Sequence, residues 1–233
     1  MGDTVVQGTA GRAKVEDPRY IRVRASLVGA LLDLAAETPV EDISVSQLTT
    51  AAGVSRTTFY GHASSPTQLL ADTLIAELRP QLEDIVEAMS HPGVDYVGQW
   101  RRLYRVLLEH VQHRARIYKT MLGSNSLALS FVLDFLEDVS TRNVDAVIAQ
   151  FTGEQISPLW RTMAIQQQVR NTVAMIVAWL QTGMTDPITT VIDTYLTLAP
   201  PWQLARPDAA GQIAMRRIRS TKVSAPNSAQ LHR

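Results

Sequence analysis

From Asp17 to Ala199 the apolar residues recur at the three-and-four spacing of helices, and no stretch sustains the alternation of a half-buried strand. Residues 1–17 are polar and read as a flexible arm. Asp17-Pro18 predicts a helix start, with Asp as cap and Pro in the first turn. Its stripe is Val23, Leu27, Leu31 and Leu34, and it stops before Pro39. Short helices over about 46–52 and 56–62 flank Gly53. Ser65-Pro66 opens a long helix through Met89, with Leu69, Leu70, Leu74, Leu78, Leu82 and Ile85 as its apolar side. Pro80 inside it predicts a bend, because it lacks an amide proton and crowds the preceding turn. After His91-Pro92-Gly93, the residues Val97, Trp100, Tyr104, Leu107 and Val111 form one apolar face. A shorter helix, ARIYKTML, precedes the Gly123-Ser124-Asn125 turn. Residues 127–150 are helical, and FTGEQ (151–155) is a loop. Ser157-Pro158 and Asp186-Pro187 cap helices reaching Gly183 and about Ala199. The expected fold is all-α.

Composition narrows the chemistry. The 233 residues suffice for one large domain or two smaller ones, and 45% apolar residues can build a core without disulfides. The absence of cysteine removes disulfides, thiolate metal sites and a cysteine nucleophile. The longest apolar run, VAMIVAWL (173–180), falls far short of the roughly 20 residues that span a bilayer. The first residues lack the apolar core of a secretory signal. A soluble, cytoplasmic protein without a membrane partner is expected. Net charge is zero, but residues 206–233 carry +5 against −2 over 1–75 and −3 over 76–205. Such a balance argues mildly against a generic polyanion binder. Against it stand Arg19, Arg22, Arg24 and Arg56, gathered early in the chain.

The stretch AAGVSRTTFYGHASS (51–65) concentrates the chemistry. A helix-turn-helix needs a glycine where the turn enters the left-handed region and small apolar residues where its helices meet. Gly53 meets the first need, and Leu48, Ala52, Val54 and Phe59 supply the inner face. Ser55 is placed as cap of the second helix, whose first turn holds Arg56, Thr57 and Thr58. That first turn is the part that enters a major groove. Arginine can bond two acceptors on guanine, and threonine can meet a thymine methyl or a phosphate. Tyr60 and His62 suit phosphate oxygens at the groove edge.

Residues 44–74, SVSQLTTAAGVSRTTFYGHASSPTQLLADTL, resemble the signature of the TetR family of transcriptional regulators. The resemblance covers about residues 18–199 and is most specific from Ala52 through His62. It implies a helix-turn-helix DNA-binding domain (18–75) and a helical ligand-binding and dimerisation domain (76–205), while composition gives the flexible N-terminal arm (1–17) and a basic, disordered tail (206–233). It implies recognition by Arg56, Thr57, Thr58 and Gly61, with Ser44, Tyr60 and His62 on the backbone and Ser55 among the DNA-facing residues. The implied partners are a double-stranded DNA operator, a small-molecule effector and a second copy of the chain; no cofactor or metal is implied. Three positions depart from the pattern. Thr49 stands where alanine is usual, Ala63 where an aromatic packs, and Pro66 where a phosphate-contacting lysine is common. HRARIYKTMLGSNS (113–126) and VAWLQTGMTDP (177–187) resemble the core of TetR regulators that include relatives controlling dihydroxyacetone utilisation.

In the core, Trp100, Tyr104, Tyr118, Met121, Phe131, Met163, Met175 and Trp179 are candidates to line an effector pocket, although each could simply pack. The last two long helices, about 158–183 and 187–199, are the implied dimer interface, with Val173, Ile176, Ile188, Val191, Ile192 and Tyr195 facing the partner. Glu109, His110 and His113 form an EHxxH cluster that lacks a firm third metal ligand. The basic run AMRRIRSTK (214–222) reads as a mobile end. A helical enzyme finds no nucleophile elbow, phosphate-cradling loop or HExxH motif. A helical adaptor that has lost DNA binding is the alternative reading.

Overall fold

The computed structural model describes residues 17–91, 93–124, 126–149, 156–204, 206–207 and 213–214. Ten helices follow one another among them. They are α1 (Pro18–Ala35), α2 (Val45–Ala52), α3 (Arg56–Tyr60), α4 (Pro66–Met89), α5 (Tyr96–His113), α6 (Ala115–Gly123), α7 (Leu127–Ile148), α8 (Pro158–Gln181), α9 (Ile188–Leu198) and α10 (Pro201–Leu204). A single 3-10 turn, Val40–Asp42, joins α1 to α2. The all-α expectation holds, and no helix among the described residues is long and apolar enough to cross a membrane.

The helix starts follow local chemistry. Asp17 accepts the Arg19 amide at 2.8 Å, Ser65 the Gln68 amide at 3.0 Å and Ser157 the Trp160 amide at 3.1 Å, each before a first-turn proline. The start of α9 departs from expectation. Pro187 holds its cap position without a side-chain bond, while the Asp186 carbonyl accepts from Trp179 Nε1 at 3.0 Å.

α4 is the central strut. It packs along α7 and α5, and its first half also meets α1. With α7 it runs parallel, since Arg79 lies over the Phe135 ring at 4.8 Å and Glu83 pairs with Arg142 farther along both helices. α8 returns antiparallel to α7, tied by Arg161–Asp145 and Gln166–Glu137. α9 lies on α5, where Arg101 meets Asp193 at 2.6 Å. One buried apolar set, from Leu27 to Leu196, runs through α4 from end to end.

α4 continues unbroken through Pro80, which sits on its exposed side. An outward proline costs the helix one hydrogen bond while its neighbours keep their packing. Beyond α9, α10 was not anticipated from the sequence. Near residue 206, where irregular chain was expected, Arg206–Pro207 (β1) pairs antiparallel with Ile213–Ala214 (β2). The 1–16 arm, the 151–155 loop and most of the basic tail, including its Arg216, Arg217, Arg219 and Lys222, lie outside the described residues.

Candidate nucleic-acid interface

α2 begins at a reciprocal cap. The Ser44 hydroxyl accepts the Gln47 amide at 3.1 Å, and the Gln47 side chain accepts the Ser44 amide at 2.9 Å. The helix ends at Gly53, whose φ of 66° and ψ of 31° lie in the left-handed region. Only a residue without Cβ adopts this at low cost, so the turn geometry depends on glycine. Thr49 is buried and donates its hydroxyl to the Ser46 carbonyl at 3.2 Å, so a threonine fits where its hydroxyl bonds back along the helix. Two residues past the turn, Ser55 accepts the Thr58 amide at 3.0 Å and starts α3.

α3 is only five residues long, so its outward side chains are confined to about one turn and a half. Phe59 is fully buried and anchors it. Arg56, Thr57 and Tyr60 consequently point outward, with Tyr60 55% exposed. Thr58 is half-buried, and its hydroxyl shares a 2.8 Å hydrogen bond with that of Ser55. Gly61 is exposed, and a Cβ there would come within 3.2 Å of the Thr58 carbonyl. It keeps the end of α3 slim.

His62 differs from expectation. The helix ends at Tyr60, and the His62 ring is half-buried, stacked on Tyr20 with centroids 4.0 Å apart. Arg24 donates to the His62 carbonyl at 3.0 Å. Tyr20 and Arg24 lie four apart on one face of α1 and brace the end of α3, so the His62 ring packs on α1. Sequence reasoning missed both partners; their helical spacing was the available signal. Ala63 is partly buried against the core, and Pro66 is buried at the start of α4.

The acidic residues of the head, the N-terminal segment from α1 through α3, are partly committed elsewhere. Glu37 pairs with Arg116 at 2.6 Å. Glu41 accepts from the Ser126 hydroxyl at 2.8 Å and the Leu127 amide at 2.9 Å, capping the start of α7 from the 3-10 turn. Two negative charges that weigh against DNA binding in the sequence therefore face the core helices.

In the core, the candidate pocket set separates. Trp100 and Tyr104 are fully buried and stacked, with centroids 5.5 Å apart. Tyr104 also donates to the Tyr195 hydroxyl at 2.9 Å and accepts from Gln203 Nε2 at 2.6 Å. This network fastens α10 and α9 to α5. Burial holds the Tyr104 hydroxyl well above the usual phenol range and raises that of Tyr195. Met121 is buried, whereas Phe131 and Met163 are exposed, at 39% and 63%, and line no interior space. Two spaces stand out among the described residues. A small apolar cavity of about 30 Å³ is walled by Leu78 of α4, Leu107 and Val111 of α5, Tyr118 of α6, Val132 of α7 and Ile176 of α8. An open groove of about 450 Å³ runs between α8 and α9, lined among others by Ala174, Met175, Ala178, Trp179, Thr194 and Leu198. Of the eight candidates, only Tyr118 reaches the inner cavity; Met175 and Trp179 border the groove.

The candidate interface set also divides. Val173 and Ile176 line the inner cavity, because their side of α8 turns toward α4 and α7. Ile192 and Tyr195 are buried within the protomer at 1% and 6% exposure, held against α5. Ile188 is half-buried against the core, while Val191 borders the groove. The face left open on α8 and α9 belongs instead to Ala174, Ala178, Thr190, Thr194 and Leu198.

Glu109 and His113 do not join His110 in a metal site: among the described residues no three metal-ligating side chains gather. His110 Nδ1 lies 3.5 Å from Glu77 Oε2, and Arg114 grips the same carboxylate at 2.6 and 3.3 Å. Burial lowers the His110 pKa to about 4, against the pull of Glu77 and with help from Arg114 and His113.

No family model matches the chain, and no curated protein matches it. Solved structures do. A TetR-family transcriptional regulator from Syntrophomonas wolfei superposes with a TM-score of 0.59 at 16% identity, covering 76% of this chain and 94% of that one. NalD, the secondary repressor of the MexAB-OprM multidrug efflux pump in Pseudomonas aeruginosa, superposes with a TM-score of 0.55 at 20% identity, covering 76% and 94%. The fatty acid degradation regulator FadR from Bacillus halodurans gives 0.53 at 14%, covering 75% and 96%. A short recognition-type helix braced on α1 and carried by a long central helix is thus set in a known arrangement: the chain has the fold of TetR-family transcriptional regulators.

Proposed function

We propose that the protein is a DNA-binding transcriptional regulator that acts as a homodimer and is released from its operator by a small molecule. The observation that carries this reading is α3, capped by Ser55 and anchored by Phe59, with Arg56, Thr57 and Tyr60 turned outward. Arg56 would reach guanine, Thr57 a thymine methyl or phosphate, and Tyr60 the backbone at the groove edge. Ser44, at the exposed start of α2, is placed for a second phosphate. A domain division at about residue 75, within α4, would assign reading to α1–α3 and ligand response to the helices beyond.

One such helix reads only a few base pairs, so two copies must act on a quasi-palindrome. The α8–α9 groove favours this pairing: Ala174, Ala178, Thr190 and Thr194 are small enough for a partner's helices to approach, and Leu198 projects at 77% exposure. An effector in the core would act through α4, which lines the inner cavity with Leu78 and packs on α1. Footprinting on the DNA upstream of the protein's own gene tests the reading. A protected site with two-fold symmetry is expected. Absence of any protected site across neighbouring promoters would leave a helical adaptor.

A further inference from the structure

The inner cavity and the cluster behind it describe a ligand. The cavity's wall is apolar throughout, and about 30 Å³ holds little more than a single methyl group or water. Leu122, Leu129 and Leu133 are its partly exposed wall, at the junction of α6 and α7, and that is the side from which it can widen. Beside Tyr118, which lines the cavity, lies a buried polar atom without a hydrogen-bond partner among the described residues, His110 Nε2. His110 sits between Leu107 and Val111 along α5, both of which line the cavity, and its ring meets Tyr118 edge-on with centroids 5.7 Å apart. Its side chain is 10% exposed.

The protonation of that ring follows from its neighbours. Nδ1 faces the Glu77 carboxylate, which favours the proton on Nδ1 and leaves Nε2 a lone-pair acceptor. Desolvation keeps the imidazole neutral, and Arg114 already satisfies the carboxylate. A carboxylate ligand would bring no donor to Nε2 and would meet Glu77 at close quarters. A hydrocarbon would fill the slot but leave the acceptor orphaned, a standing cost for a buried polar group. We propose that the inner cavity takes an uncharged, small apolar molecule carrying one hydroxyl, of the phenol or alcohol class, which widens the slot past Tyr118 and donates to His110 Nε2. The inference deepens the effector reading and rests on it for the ligand's consequence, though not for its binding.

Calorimetric titration of the full chain with para-cresol, toluene and para-toluate tests the site. Para-cresol should bind about tenfold more tightly than toluene, the worth of one buried hydrogen bond, and para-toluate should not bind. In His110→Phe the cresol advantage should vanish while toluene binding stays. Should that variant not fold, nitrogen NMR of the wild-type imidazole replaces it, with Nε2 expected to shift on cresol addition and not on toluene. Equal affinities for cresol and toluene, tight para-toluate binding, a cresol advantage kept in His110→Phe, or an unmoved Nε2 resonance would each overturn the proposal. Operator affinity with cresol bound separates the two readings. Binding without DNA release sinks the effector role and leaves the site, whereas release by another compound with no cresol binding does the reverse.

Discussion

At the level of single residues, burial divides side chains that the sequence treats alike. Arg56 and Arg24 are both arginines of the head, yet one is exposed on α3 and the other is spent on the His62 carbonyl. Arg56→Ala should therefore weaken specific operator binding by about 1–3 kcal/mol and relax preference at one base pair per half-site. Selection of bound sequences from a random pool checks it, and an unchanged motif removes Arg56 from the readers. His110 supplies a second test. Its pKa is depressed from the usual 6.5 to about 4 by burial, so the folded state binds its proton less readily than the unfolded chain does. The stability it contributes is complete above the unfolded pKa and is lost as pH falls toward 4. Glu77 opposes the shift, and Arg114 and His113 reinforce it. Between pH 7.5 and 5 the loss from this group should reach about 2 kcal/mol. Urea unfolding at the two pH values measures it, and His110→Gln should flatten that part of the difference. The spacing EHxxH offers two histidines without a firm third metal ligand and reads as a solvated helix face; the structure instead sets its first histidine against Glu77 and Tyr118, which no local pattern reveals.

At the level of elements, most helices were legible because caps and periodicity are local. Asp17, Ser44, Ser55, Ser65 and Ser157 each accept the amide that their position predicts. What periodicity left open was the consequence of Pro80. α4 runs through it with the ring outward, so the Ala76 carbonyl loses its helical donor while Leu78 and Leu82 stay packed. Pro80→Ala should stabilise the protein by about 1–3 kcal/mol, less than the full proline penalty because the site has already adapted. If α4 conveys effector binding through this weak point, the variant should keep operator affinity without ligand within a few-fold and respond less to the effector. Operator affinity with and without ligand, in both proteins, decides it; an equal response places the hinge elsewhere. A second element-scale link is Glu41, which joins the 3-10 turn of the head to the first turn of α7. It offers the head a contact with the core that bypasses α4.

At the level of the whole molecule, the apolar face of α9 proved to have two owners. Ile192 belongs to the protomer's own core, Tyr195 is buried there while also edging the open groove, and Thr190, Thr194 and Leu198 border the groove. Under the proposed homodimer, Ala178→Glu with Thr194→Glu should give a folded monomer that binds its operator poorly, because both side chains are exposed in the protomer. Tyr195→Asp should instead unfold it, since a buried carboxylate would replace a hydroxyl bonded to Tyr104. Light scattering and circular dichroism on the two variants distinguish these outcomes, and a persistent dimer in the first moves the interface off this face.

The sequence by itself determined the helices before Ala199, most of their caps, the left-handed turn at Gly53 and the composition of α3's first turn, because each depends on residues within about one helical turn of one another. Only the tertiary structure decided that His62 lies against Tyr20, that Glu37 and Glu41 face the core, that Val173 and Ile176 turn inward, and that His110 holds a lone acceptor behind an apolar cavity. Those outcomes depend on which of two apolar helix faces meets which neighbour. A stripe of hydrophobic residues records that a face is covered, but the covering surface lies many residues away in the chain and leaves no mark on the local pattern.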